Sequence, residues 1–249
     1  MNKIPKSHPR YDSLKTRERL SDSVKKGITH HTGLIAHGRG EAFDYIIGEK
    51  TVEYALDAEK ISAAALLLAK NPVISINGNV AALNPKDCID LSNKVPAKLE
   101  INLFHRSVDR VDKIYNELKK NGADKIYGRK ADANISFLDH DRGLCDREGI
   151  YSADVVLVPL EDGDRCMALR KMGKKVIAID LNPLSRTARE ADIAIIDNVI
   201  RAIPNITKWV KNYKKYDEPF LRDLVDNWNN RLMLKKMLNY ISKRLNSMF

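Results

Sequence analysis

Short apolar runs rich in β-branched residues recur along the chain, and each gives way to a polar turn. Val73 to Ile76 leads into Asn77-Gly78-Asn79, Lys98 to Asn102 into Leu103-Phe104-His105-Arg106, and Val155 to Val158 into Pro159 through Arg165. Val176 to Ile179 ends in Asp180-Leu181-Asn182-Pro183, and Ile193 to Ile196 in Asp197-Asn198. Such runs are too short for helices and predict strands buried on both faces. Between them the period lengthens. Thr51 to Lys70, with its AAALLLA core, predicts a buried helix stopped by Asn71-Pro72. A second helix runs to Gly122, and a third, carrying Arg165 and Arg170, ends at Gly173. Ser185 can cap a short turn bearing Arg186 and Arg189, and Asn198 reads as the N-cap of a helix over Val199 to Val210.

The flanks are helical too. Ser7-His8-Pro9 reads as a helix start, with Gly27 as its end. At ~100° per residue, Leu14, Leu20 and Val24 fall within about 60° of Arg17. Arg17 is therefore expected to face the body of the protein, as half of an ion pair or as a phosphate ligand. Beyond Pro219, Leu221, Leu224, Trp228, Leu232, Ile241 and Leu245 recur at three- and four-residue steps among lysines and arginines. This predicts an amphipathic helix or helix pair packed on the body or on a second subunit. Residues 128–153 are polar and aperiodic and read as a long loop, with a lid or an inter-subunit arm as candidate roles.

Strands alternating with helices predict an α/β fold, a doubly wound, mostly parallel sheet with an N-terminal helix and a helical C-terminal extension. Residues 1–213 read as a single catalytic domain and 214–249 as an amphipathic tail. In such sheets ligands collect beyond the carboxyl ends of the strands, where all five polar turns lie. The stretch 176–203 supplies two of them.

Composition narrows the class. A 249-residue chain with 43% hydrophobic residues is large enough for one sizeable core. No apolar run approaches the ~18 residues of a membrane span, and the N-terminus lacks an apolar signal core. Cys88, Cys145 and Cys166 form no CxxC pair, which argues for a reducing cytoplasm and against structural zinc. The formal net charge of +10 is concentrated at the ends. Residues 1–30 hold eight Lys/Arg against three Asp/Glu, and residues 201–249 eleven against four. That pattern suits solvated helix faces or small polyanions. A nucleic-acid-binding module would be salt-sensitive, and the 6% of aromatic residues stand mostly apart from the basic clusters, which counts against it.

The chemistry sits in the turns. Within Thr32 to Tyr45, Gly38 and Gly40 flank Arg39, whose guanidinium could fork onto a phosphate. A third glycine of the dinucleotide fingerprint is missing and no Walker GK[ST] follows, so the plainer reading is a glycine-rich turn. His37 is either a general base or structural. Asn77-Gly78-Asn79 either cradles an anion or simply turns into a helix. His105 and Arg106 sit at a strand end as ligands or as caps. Glu161, Asp162 and Asp164 could hold Mg²⁺ or offset a helix dipole. With no GxSxG elbow, the pattern points to phosphate-rich ligands handled by positioning and charge neutralisation.

Six stretches carry a family resemblance: IPKSHPRYDSL, GLIAHGRGEAFDY, SINGNVAAL, KLEINLFHR, ADVVLVPLEDGDR and IDLNPLSRTAREADIAIIDN. Together, from about residue 1 to 206, they resemble the archaeal phosphopantothenate synthetases, the 4-phosphopantoate–β-alanine ligases of coenzyme A biosynthesis. The resemblance implies a homodimer with a Rossmann-like core. It also implies an ATP-dependent ligase joining 4-phosphopantoate to β-alanine, with AMP and diphosphate released and Mg²⁺ required. Carried over by motif, ATP would meet Arg17, Arg39, Asp180, Leu181, Asn182, Arg186, Thr187, Asn198 and Val199. Strand-end position adds Asn77, Asn79, His105 and Arg106 for the second substrate. Arg39 would stabilise the phosphoryl transition state, and His37 or a carboxylate would deprotonate the amine. The alternatives are another nucleotide-dependent enzyme, such as an ADP-releasing kinase, and a basic RNA-binding module.

Overall fold

Each apolar run is followed by a helix that carries the chain back to the start of the next run, so the strands pair in parallel. The computed structural model describes residues 4–160 and 163–248. Three helices come first: α1 (Tyr11–Lys25), α2 (His31–Ile47) and α3 (Glu53–Leu68). The first half of the sheet is β1 (Pro72–Ile76), α4 (Gly78–Leu83), α5 (Pro85–Lys94), β2 (Lys98–Ile101), α6 (Val108–Lys120) and β3 (Ile126–Tyr127). A small hairpin, β4 (Ala133–Asn134) and β5 (Leu144–Cys145), then intervenes. The second half is β6 (Val155–Pro159), α7 (Gly163–Lys171), β7 (Lys175–Ile179), α8 (Arg186–Glu190), β8 (Ile193–Ile195) and α9 (Val199–Tyr213). Helices α10 (Glu218–Asp226) and α11 (Asn230–Asn246) complete the chain.

The six-stranded sheet is all parallel, in the order β3-β2-β1-β6-β7-β8. With the hairpin set aside this is the Rossmann order, reversing between β1 and β6. Both faces are covered. Ile74, Ile76, Leu157, Ile177, Ile179, Ile193 and Ile195 enter the core on one face. Val73, Val156, Val158, Val176, Ala178 and Ala194 enter the core on the other. The alternation follows from the two-residue period of a strand, and burial on both faces is why the runs are mainly apolar, with Ser75 of β1 and Glu100 of β2 as buried polar exceptions.

The tail is docked on the body. Leu221, Val225, Leu234 and Met237 are buried, the Tyr240 hydroxyl donates to the Ile47 carbonyl at 3.1 Å, and Asn230 bonds the backbone of Ala188, Ala191 and Ala194. Leu232 and Leu245, expected on the apolar face, remain exposed.

Three expectations are corrected. The glycine-rich stretch Thr32 to Tyr45 is part of α2, not a turn. The His30 ring accepts from the Thr32 N–H as its cap, and tertiary packing outweighs the ~1 kcal/mol each glycine costs a helix. Gly33 is required there, since a Cβ would lie 2.5 Å from the Asn79 amide oxygen. Arg17 does not point inward: Thr16, Leu20 and Ser23 form the buried face of α1, and Arg17 lies outside, bridged to Glu41 at 2.9–3.0 Å. Residues 128–153 are not a loose loop. Ile135, Leu138, Cys145 and Ile150 are buried in the second core, and buried Glu100 of β2 accepts from the N–H groups of Asp146 (2.9 Å) and Ile150 (2.5 Å). The proposed acidic trio cannot be placed as a unit, because Glu161 and Asp162 lie outside the described residues.

Candidate active site

The carboxyl edge of the sheet opens into a cavity of about 670 Å³ that spans the reversal between β1 and β6, within the ~300–1,000 Å³ usual for small-molecule sites. Its wall over β7 and β8 is built by the two turns of the 176–203 stretch. Asp180 accepts from the Ser185 hydroxyl at 2.5 Å and from the Asn182 N–H at 3.0 Å. Burial raises the Asp180 pKa above the usual carboxylate range, against those hydrogen bonds and the nearby Arg39 charge. Ser185 caps α8 through the Ala188 N–H, which orients Arg186 and Thr187 at the cavity wall. Arg186 crosses Gly163 and pairs with Asp164 at 2.6 Å. Asn198 caps α9 while its amide donates to Asp44 at 2.9 Å.

Helix α2 forms the facing wall. Gly33, Ala36, His37 and Gly40 recur at helical spacing along its cavity side, so small residues leave room for a ligand against the helix. Arg39 flanks them, exposed and lining the cavity. Burial lowers the His37 pKa below its ordinary 6.5, with Glu41 and Arg17 acting in opposite directions. A neutral imidazole at pH 7 follows.

The position of α2 is set by a buried ionic clamp. Arg201 of α9 donates to Asp44 of α2 (2.5 Å) and to Asp197 at the end of β8 (2.5 Å). Asp197 also accepts from the Thr51 hydroxyl at 2.6 Å. Fully buried Glu59 of α3 lies beside this clamp, and burial, then the Asp197 charge, push its pKa to about 9.

Most residues expected at the site line this one cavity: His37, Arg39, Asn77, Asn79, His105, Asp180, Leu181, Asn182, Arg186, Thr187, Asn198 and Val199. Arg17 and Arg106 are not brought to its wall. Arg17 is held by Glu41, and Arg106 donates to the Gly128 carbonyl at 2.7 Å. The asparagines are largely structural: Asn77 caps α4 and donates to the Pro159 and Leu160 carbonyls, and Asn79 donates to the Gly33 carbonyl. Sequence reasoning missed His30, Phe104, Arg110 and Arg142, which complete the wall near β2. Arg110 could have been found, because Ser107 caps α6 and places it in the helix's first turn beside the β2 end.

Residues 54–244 match the phosphopantothenate/pantothenate synthetase family. The chain belongs to that family. Relatives similar along nearly their whole lengths carry the name 4-phosphopantoate–β-alanine ligase. The Thermococcus onnurineus protein is 53% identical over 246 residues, covering 98% of this chain and 94% of its own. The Methanosarcina mazei protein is 51% identical over 248 residues, covering all of this chain and 98% of its own. The Methanospirillum hungatei protein is 51% identical over 242 residues, covering 97% and 98%. Membership of the family gives the cavity's basic residues a context of nucleotide and acid substrates. No helix among the described residues is long and apolar enough to cross a membrane.

Proposed function

We infer that this protein is a 4-phosphopantoate–β-alanine ligase acting in coenzyme A biosynthesis, with ATP cleaved to AMP and diphosphate. The observation that carries the reading is the 51–53% identity, along almost the entire chain, to proteins of that name. The cavity suits it, because it offers arginines and amides but no cysteine among the described residues of its wall.

The nucleotide is assigned to the wall over β7 and β8, with Asp180 and Asn182 taking hydroxyl and ring donors, Asn198 and Val199 the far side, and Arg39 and Arg186 the phosphates. Arg186 must exchange Asp164 for phosphate, and Arg17 would have to leave Glu41 to reach one. The 4-phosphopantoate carboxylate attacks the α-phosphorus, diphosphate departs, and an acyl-adenylate forms. Arg39 and Arg186 offset the charge that builds on the phosphoryl oxygens. The β-alanine amine then attacks the acyl carbon and AMP leaves. The amine reacts only after losing a proton, and the neutral His37 imidazole is the base we assign to it.

Mg²⁺ is assigned to the nucleotide phosphates themselves, its usual mode of entry. Among the described residues no three His, Cys, Asp or Glu side chains converge on a metal site, and both Asp180 oxygens are engaged. No step is therefore routed through a protein-held metal. A homodimer and a cytoplasmic location belong to the same proposal; Cys88, Cys145 and Cys166, buried and in no disulfide, suit a reducing compartment.

Product analysis tests the reading. Purified protein with Mg-ATP, 4-phosphopantoate and β-alanine should release AMP and 4′-phosphopantothenate in equal amounts, and only with both co-substrates present. ADP would replace the adenylate by an acyl phosphate or a kinase reaction. Absence of turnover in every combination would favour a binding module.

A further inference from the structure

Three charged side chains behind the cavity tie its two sides together. The stripe of α2 that lines the cavity, Gly33, Ala36, His37 and Gly40, continues one turn to Asp44, ~6 Å further along the axis. Arg201, in the first turn of α9, meets it there. Its Nη1 and Nη2 donate to the two Asp44 oxygens at 3.2 and 2.5 Å. Its Nε and Nη2 donate to Asp197 Oδ1 at 2.9 and 2.5 Å. Asp197 in turn leads into Asn198 and Val199 on the nucleotide wall. Asp44, Asp197 and Arg201 are not themselves among the described residues of that wall.

The same two carboxylates decide how Asn198 faces. Its backbone N–H donates to Asp197 at 2.7 Å, and its amide nitrogen donates to Asp44 at 2.9 Å. Its amide oxygen accepts from the Ile200 N–H at 3.2 Å. Without the cation, Asp44 and Asp197, both within 2.5 Å of one nitrogen, would repel each other. Helix α2 would then move away from the end of β8. A guanidinium can hold both acids at once because its nitrogens form a fixed planar fork, whereas an ammonium is a point charge. Resting on the nucleotide assignment above, we propose that Arg201, bridging Asp44 and Asp197, is a positioning residue that sets the separation of α2 from the start of α9 and so the fit of ATP between them. Arg186 must exchange Asp164 for phosphate, but Arg201 keeps all three nitrogens on carboxylates and touches no ligand. Its effect therefore falls on nucleotide affinity, before any chemistry.

Steady-state kinetics and ATP titration on Arg201→Lys and Asp44→Asn test it, with Thr51→Val as a structural control. Arg201→Lys keeps the charge but loses the fork, and Asp44→Asn keeps an oxygen for Asn198 but removes the charge facing Arg201. Each should raise KM and Kd for ATP on the order of 10-fold, with kcat at saturating ATP and KM for 4-phosphopantoate moving less than about threefold. Thr51→Val loses only the 2.6 Å hydroxyl bond to Asp197 Oδ2, so it should lower the Tm and leave both ATP constants in place. Unchanged ATP constants in folded Arg201→Lys and Asp44→Asn would overturn the proposal. So would an equal rise for both substrates, or the same rise in Thr51→Val, since either would mean general loosening. If the wild-type protein binds ATP but forms no 4′-phosphopantothenate, the ligase reading falls and the titration still decides the role of Arg201. If it forms product and both bridge variants bind ATP as it does, only that role falls.

Discussion

His37 is caught between burial, which disfavours its charge, and Glu41, which favours it, and burial prevails. If it is the base for β-alanine, the active form is the neutral imidazole, so activity is lost as pH falls through its pKa. With that pKa lowered from the ordinary 6.5, the acid limb of kcat/KM in β-alanine should lie below that of a free imidazole. His37→Gln should remove this acid limb and lower turnover by about 10²- to 10³-fold. A pH–rate profile that keeps the same limb in the variant would assign the base elsewhere. Arg39 carries a different load, since it contributes charge rather than a proton. Arg39→Ala should lower AMP formation by on the order of 10³-fold, with the melting temperature unchanged because the side chain is exposed. Near-normal turnover would end its role as a phosphoryl clamp.

At the scale of elements, the site depends on how α2 is seated. Gly33, Ala36 and Gly40 on its cavity face offer little side chain to grip, so it is seated by the Asn79 amide on the Gly33 carbonyl and by Asp44 with the Arg201 clamp behind it. Arg201 is the cation shared by two buried carboxylates, Asp44 and Asp197. Removing one partner of a buried pair strands the other charge, so Arg201→Met should cost about 3–5 kcal/mol in urea unfolding. A loss below ~1 kcal/mol would mean that the clamp is solvated in the native protein. The 128–153 segment shows the same logic. Glu100 reaches it from β2, next to the edge strand of the sheet, and Gly149 is needed at the contact because a Cβ would stand 1.7 Å from a Glu100 oxygen. A segment held in this way supplies a fixed wall that includes Arg142.

Across the whole molecule, the buried acids couple stability to pH. Glu59 has its pKa raised from 4.5 to about 9, and Glu100 from 4.5 to about 7, both chiefly by burial. A raised folded-state pKa means the native protein holds protons that the unfolded chain releases. The contribution is therefore full below pH 4.5 and is lost as pH rises, up to about 7 for Glu100 and about 9 for Glu59. The Tm should fall by about 5 °C or more between pH 5.5 and 8.5. Glu59→Gln, neutral at every pH, should flatten much of that slope in calorimetric scans. An equal slope in wild type and variant would show that Glu59 is ionised when folded.

Five of the six strands of the parallel sheet, several helix boundaries, the parallel α/β class and most of the cavity wall were legible in the sequence, whereas β3, the β4–β5 hairpin and α2 were not. These depend on short-range facts: a two-residue period, Asn and Ser caps such as Asn198 and Ser185, and polar turns that a parallel sheet must gather on one edge. Relations between distant residues were not legible. Nothing local says that Gly33 will be helical, that Arg17 will find Glu41 outside the core, or that Arg201 will join Asp44 to Asp197. Nor does it say that Arg110 and Arg142 will meet at the β2 end. The Arg17–Glu41 and Arg201–Asp44 pairs and the meeting of Arg110 with Arg142 join residues 24 or more apart in the chain, contacts that exist only once the sheet has brought those elements together.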